Sequence, residues 1–173
     1  MATQENVPAP AFDLESDSGK RVALKDFTGK WLVLYFYPKD DTPGCSREAQ
    51  EFGAAAARLA NLGAEVVGVS RDTAKTHCGF KEKMGVRFPL LSDTELLAHK
   101  AYGAWGMKTM YGKAVEGVIR STFLIAPDGS VARAWSGVKV DGHVEKVIEG
   151  LEKARAGEKR GVTSGPAAKK PRP

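Results

Sequence analysis

One cysteine lies where the character of the chain changes, in the segment Tyr37-Pro38-Lys39-Asp40-Asp41-Thr42-Pro43-Gly44-Cys45-Ser46-Arg47-Glu48. The run before it, Trp31 to Tyr37, is rich in aromatic and branched residues and too short for a typical helix. It reads as a strand buried on both faces. After it, Ala49, Phe52, Ala56 and Leu59 recur at steps of three and four, an amphipathic helix that closes near Gly63. Cys45 therefore falls in the first turn of that helix. Free backbone N–H groups and the helix dipole favour an anion there, so a thiolate is stabilised, and the thiolate is the nucleophile. Thr42 is placed either to cap the turn or to aim its hydroxyl at the sulfur. Pro38 and Pro43 stiffen the loop and remove two backbone donors. The same spacing also accommodates a buried, inert cysteine beside an ordinary threonine N-cap.

The elements that must position this junction follow from periodicity. Phe12 to Ser16, a turn at Asp17-Ser18-Gly19-Lys20, and Arg21 to Leu24 make a small hairpin. Ala64 to Ser70 is a second strand, and Thr73 to Met84 a second helix stopped by Gly85. A short strand at Phe88 to Leu91 and a helix over Thr94 to Ala101 come next. Val118 to Ile125 is a third main strand, which Pro127-Asp128-Gly129 turns back into Ser130 to Trp135. Val144, Val147, Ile148 and Leu151 mark a final helix. Right-handed parallel crossovers in the first half and an antiparallel edge in the second predict an α/β fold. Its layout is that of a thioredoxin-like sandwich, with a mixed central sheet, an N-terminal hairpin and flanking helices. Ligands of open α/β sheets gather at the carboxyl ends of the strands, and Pro38 to Cys45 is such a place.

With 173 residues, the chain matches one domain at roughly 150 residues per domain. Two cysteines and no C-x-x-C pair exclude a disulfide scaffold and a structural zinc site, and suit a reducing compartment. No apolar run approaches the roughly 20 residues of a membrane helix. The first residues lack a basic start and an apolar stretch, so the expected location is cytoplasmic. Of the formal net charge of +5, four units sit on Lys159, Arg160, Lys169, Lys170 and Arg172 less Glu158. Residues 1–156 are thus near neutral, which argues against a basic nucleic-acid-binding face. They form the expected domain, and residues 157–173 an aperiodic basic tail expected to be disordered.

Pro38, Thr42 and Cys45 match the P-x-x-x-T-x-x-C motif of the peroxiredoxins, cysteine-dependent peroxidases of thioredoxin-like fold. Phe36-Tyr37-Pro38, Thr42-Pro43-Gly44-Cys45, Phe88-Pro89-Leu90-Leu91-Ser92-Asp93, Tyr111-Gly112-Lys113 and Arg120 to Ile125 resemble the peroxiredoxin Q, or bacterioferritin comigratory protein, branch. The resemblance runs from Val7 to Leu151. It implies that Cys45 attacks a hydroperoxide and becomes a sulfenic acid. It also implies that Arg120 holds the thiolate and stabilises charge on the leaving oxygen, that Thr42 bonds the sulfur or the peroxide, and that Pro38 shields the pocket. Glu48 stands where relatives place an acid or amide that orients the arginine; on spacing alone it is a carboxylate near a helix N-terminus. No metal or organic cofactor follows from this chemistry, and the scattered His77, His99 and His143 read as surface or structural.

The chain departs from the pattern at its second thiol. Many relatives carry a resolving cysteine five residues after the first, where this sequence has Gln50. Others place it in the second helix just after a phenylalanine equivalent to Phe80, where this sequence has Lys81. Cys78 lies three residues before that slot, on the same helix face. It stands as resolving cysteine, buried spectator or intermolecular thiol. The thioredoxin-like layout is expected to put the two cysteine-bearing helices on opposite sheet faces. The leading function is a peroxidase recycled by thioredoxin or a similar thiol, as a monomer, through a Cys45–Cys78 disulfide. The alternatives are a one-cysteine peroxidase reduced by an external thiol and a binding protein using the basic tail.

Overall fold

Every residue from Trp31 to Phe36 is buried in a strand, β3, covered on both sides. The structure is a computed structural model and describes residues 5–164. Around β3 the chain runs β1 (Asp13–Ser16), β2 (Arg21–Ala23), α1 (Pro43–Asn61), β4 (Ala64–Ser70), α2 (Ala74–Met84), β5 (Leu90–Ser92) and α3 (Leu97–Ala101). It continues with β6 (Trp105–Met110), β7 (Lys113–Val118), β8 (Ser121–Ile125), β9 (Val131–Ser136) and α4 (His143–Ser164). A seven-stranded sheet has the order β2-β1-β5-β4-β3-β8-β9. β3, β4 and β5 are parallel, while β8, β9 and the β1–β2 hairpin join antiparallel at the two sides. This is the expected mixed thioredoxin-like sheet.

Alternation along β3 builds two cores. Val33 and Tyr35, with Tyr37 just beyond, face Ala49, Phe52 and Leu59 of α1, Phe80 of α2, and Val144, Val147, Ile148 and Leu151 of α4. Leu32, Leu34 and Phe36 face the other way, against Phe12, Phe27, Ala98 and Tyr102. The helices α1 and α2 therefore share a face, contrary to the expectation that they would be separated by the sheet. The reason is handedness: β3-α1-β4 and β4-α2-β5 step the same way along the sheet, and right-handed crossovers repeated in one direction keep their helices on one side.

Two segments differ from the periodicity reading. Residues 105–118 form a separate two-stranded hairpin, β6–β7, where the periodicity reading assigns no element before Val118. Its turn residues Tyr111 and Gly112 both have positive φ, 52° and 78°, the requirement of a two-residue type I′ loop. The expected strand from Val118 to Ile125 is broken at Ile119 and Arg120, between β7 and β8. At the C-terminal end, α4 continues to Ser164, beyond the domain limit placed after Ala156. Glu158, Lys159 and Arg160 are good helix formers and carry the hydrogen-bond ladder past Gly157. The remainder of the basic tail, with Lys169, Lys170 and Arg172, lies outside the described residues. Among those described, no helix is long and apolar enough to cross a membrane.

Candidate active site

The helix α1 starts as its sequence requires. Thr42 is the extended N-cap residue, Pro43 follows in the first turn, and Ser46 donates its N–H to the Thr42 carbonyl at 2.8 Å. The Thr42 side chain makes no capping bond; its hydroxyl donates instead to the Lys39 carbonyl at 2.9 Å. Neither expected use of that hydroxyl, capping or bonding the sulfur, is present, and the backbone N–H groups of Gly44 and Cys45 stay clear of a side-chain cap. Pro38, half-buried, leads out of β3.

Cys45 is 1% exposed. Its Sγ accepts a hydrogen bond from Arg120 Nη2 at 3.3 Å, while Arg120 Nη1 donates to Glu48 Oε1 at 2.5 Å. One guanidinium thus spans a thiol and a carboxylate that stand one helical turn apart, using the fork geometry a lysine lacks. The β7–β8 break delivers it. Ile119 donates its N–H to Ala104, and the Arg120 carbonyl accepts from Val138, so the backbone is pinned on both sides of the side chain. Gly44 makes room: a Cβ there would stand 3.2 Å from Arg120 Nη2.

Glu48 is fully buried. Burial pushes its carboxyl up to about 7, against the opposing pull of Arg120. Burial works against the charge of Arg120, yet its pKa is raised, because Glu48 and Cys45 hold the cation in place. The second Glu48 oxygen, Oε2, and the hydroxyl of Tyr35 are buried with no hydrogen-bond partner. Tyr35 is held well above its usual range, first by burial and then by Glu48 and Cys45.

A second polar cluster lies beside the first. Asp40, in the loop before Cys45, accepts from the Tyr37 hydroxyl at 2.6 Å and faces His77 Nδ1 of α2 at 2.7 Å. His77 Nε2 faces the Leu91 carbonyl at 2.9 Å, and the Asp40 N–H donates to Asp72 Oδ2 at 2.8 Å. Asp40, Asp72 and His77 bring ligand-type atoms within 4.8 Å of one another. Both His77 nitrogens already face protein partners, so binding a metal there would cost the ring one of these bonds. The three histidines are all buried, which places them with the structural reading and not at the surface.

The thiols are both free, Cys45 buried and Cys78 exposed. Within α2 the buried residues are His77 and Phe80, so Cys78 projects on the solvent side and is no buried spectator. The neighbouring slot, Lys81, is half-buried and bonds Asp17 of the β1–β2 turn at 3.0 Å. Of the residues singled out in the sequence, Cys45, Arg120 and Glu48 converge, Thr42 is in the same turn with its hydroxyl engaged elsewhere, and Cys78 stands apart. Asp40, Gly44 and Tyr35 were not singled out. The stepping of His77 and Phe80 by three was the available sign that His77 faces inward.

Residues 6–134 match the AhpC/TSA family. The chain is 45% identical over 148 residues to peroxiredoxin Bcp of Xanthomonas campestris, covering 84% of this chain and 92% of that protein. It is 43% identical over 152 residues to peroxiredoxin Bcp of Bacillus subtilis, covering 88% and 97%. A solved structure of the Xanthomonas campestris bacterioferritin comigratory protein, studied for alkyl peroxide reduction, superposes with a TM-score of 0.81 at 41% identity, covering 87% and 98%.

Proposed function

Since the chain belongs to the AhpC/TSA family, within the peroxiredoxin Q and Bcp branch, we propose that it reduces hydrogen peroxide and organic hydroperoxides with Cys45 as the attacking thiolate. Membership implies thiol-dependent peroxidase chemistry, with a peroxide as substrate and a thiol as reductant. The observation that carries the assignment is the Arg120 guanidinium bonded at once to Cys45 Sγ and Glu48. The alkyl peroxide activity of the similar Xanthomonas campestris protein supports organic hydroperoxides among the substrates.

The Cys45 thiolate attacks one oxygen of R–O–O–H. The S–O bond forms as the O–O bond breaks, the sulfur becomes a sulfenic acid, and the leaving R–O⁻ takes a proton from water. Arg120 stabilises negative charge that passes from sulfur to the leaving oxygen, and Glu48 is a positioning residue that fixes the guanidinium plane. Pro38 and the Thr42 turn frame the approach to the sulfur. In the second step the Cys78 thiol displaces hydroxide from the sulfenic sulfur, giving a disulfide and water. A thioredoxin-type dithiol then reduces that bond and leaves as a disulfide.

Replacing Cys45 by serine removes the nucleophile, because a serine hydroxyl stays protonated near neutral pH. Peroxide consumption with thioredoxin or dithiothreitol is expected to vanish; turnover at a wild-type rate ends the assignment. A second reading has its own support. Cys78 lies on the solvent face of α2, which suits direct reduction of the sulfenic acid by an external thiol. Intact-mass analysis after one equivalent of peroxide separates the two: loss of two hydrogens with linked Cys45 and Cys78 peptides, or gain of one oxygen with a free Cys78.

A further inference from the structure

We propose that Asp40, His77 and Tyr37 form a latch that makes the Cys45 loop and the Cys78 segment of α2 open together. The inference rests on the two-cysteine reading for its purpose but not for its geometry. Asp40 belongs to the loop that ends at Cys45, and His77 is the residue before Cys78. Their bond, Asp40 Oδ2 to His77 Nδ1 at 2.7 Å, has both side chains fully buried. It is the direct side-chain tie inside the protein between the segments that carry the two thiols, and an exposed pair, Lys83 to Asp41 at 2.8 Å, repeats it at the surface.

The acceptor arrangement makes this tie strong. His77 Nε2 faces a backbone carbonyl, which only accepts, and Nδ1 faces a carboxylate that already accepts from Tyr37. The pair is therefore joined by a short hydrogen bond in a fully buried site where the neighbouring polar atoms of both partners are also engaged. Pulling Asp40 away leaves His77 Nδ1 without its carboxylate partner, and unwinding α2 leaves the Asp40 side chain without His77; a buried polar group left without its partner is costly. Neither segment therefore opens by itself at low cost. Asp41 adds local tension at the joint: it is a non-glycine residue at φ 63° between Asp40 and Thr42, a conformation favoured only weakly even for aspartate.

The consequence is functional. A disulfide needs Cα atoms within about 7 Å, with one thiol buried against Arg120 and the other on the outer face of α2. Closure thus requires Cys45 to leave its buried place and Cys78 to turn from the solvent side toward it. A latch that releases them as one unit keeps Cys45 in its peroxide-reducing geometry until the movement that frees it also delivers Cys78.

The test is amide hydrogen exchange on the full chain in the Cys78→Ser background, which removes disulfide formation from the measurement. His77→Gln is expected to speed exchange at residues 40–46, a segment that does not contain it, by at least about tenfold. Asp40→Asn is expected to do the same at residues 74–79, with β8 and α4 unchanged. Tyr37→Phe, which removes the hydroxyl that bonds Asp40 and lies 3.4 Å from His77 Nδ1, gives a smaller shift in both segments and serves if either of the other variants fails to fold. Exchange that rises only in the mutated segment overturns the latch. Linked-peptide formation is scored separately with Cys78 present. Coupled exchange without linked peptides keeps the latch and ends the two-cysteine reading, whereas linked peptides with uncoupled exchange do the reverse.

Discussion

Two polar clusters flank the loop that leaves β3, one around Cys45, Glu48 and Arg120, the other around Tyr37, Asp40 and His77. Both are largely buried and both pair a side-chain nitrogen with a carboxyl group, yet they are satisfied to different degrees. In the second, both His77 nitrogens, both Asp40 oxygens and the Tyr37 hydroxyl have partners. In the first, Glu48 Oε2 and the nearby Tyr35 hydroxyl have none, and the thiol is held by a single donor. A fully bonded buried network rigidifies a fold. A partly bonded one keeps bonding capacity for a group that changes charge during reaction. The comparison assigns chemistry to the incomplete cluster and mechanical coupling to the complete one.

The largest expected effect tests the reactive cluster at its centre. Arg120→Lys keeps the charge but cannot donate to Cys45 Sγ and Glu48 Oε1 from two fixed nitrogens. The second-order rate of Cys45 oxidation by peroxide is expected to fall about 10²- to 10³-fold, the usual loss when a donor to developing negative charge is removed. Stopped-flow oxidation with the melting temperature as control measures it. An unchanged rate removes Arg120 from the site.

A second effect, of about 3 kcal/mol, reports on the incomplete satisfaction of Glu48. Its carboxyl is raised from 4.5 to about 7 in the folded protein. Between those values the folded state holds a proton that the unfolded state has lost, so this group's contribution to stability falls as pH rises from 4.5 and levels off above 7. A shift of that size corresponds to about 3 kcal/mol. His143 runs the other way: burial, with Lys146 and Arg120, lowers it to about 4, so stability falls as pH drops from 6.5 toward 4. The two slopes oppose each other in the wild type. Glu48→Gln deletes one, and urea unfolding of both proteins from pH 4.5 to 7.5 is expected to show their difference changing by that amount. A pH-independent difference means that Glu48 is not raised.

How much of this was legible in the sequence depends on the range of the interaction. The buried strand β3, the start of α1 at Cys45 and the placing of Glu48 one turn later are local periodicities. Arg120 lies 75 residues from Cys45, and nothing in the spacing joins them; only the family resemblance pointed to it. The shared face of α1 and α2 depends on crossover direction, which is a property of strand order. The β6–β7 hairpin was missed because its strands carry glycines and have little burial to create an alternation, so periodicity assigned no element there. The Asp40–His77 pair spans 37 positions and is visible only after β3 and β4 have been set side by side.

The smallest effect sharpens the comparison most directly, because it uses one substitution at two equivalent places. Tyr35 and Tyr37 lie two residues apart, face the same core and stack with ring centroids 5.4 Å apart. Burial is the main cause of the raised pKa of each. They differ in what their hydroxyls meet: Asp40 and His77 for Tyr37, no protein group for Tyr35. Changing either to phenylalanine leaves the ring and its packing in place, so the difference isolates the hydroxyl. Tyr37→Phe loses a bond to a carboxylate and leaves Asp40 under-satisfied, at a cost of about 1–3 kcal/mol. Tyr35→Phe removes a buried oxygen that has no partner to lose, and is expected to lie within about 0.5 kcal/mol of neutral or to stabilise. Urea midpoints at one pH, in a Cys45→Ser background that prevents oxidation, are sufficient. Equal costs at the two positions would give the Tyr35 hydroxyl a bound water for a partner and would make the reactive cluster as complete as the latch.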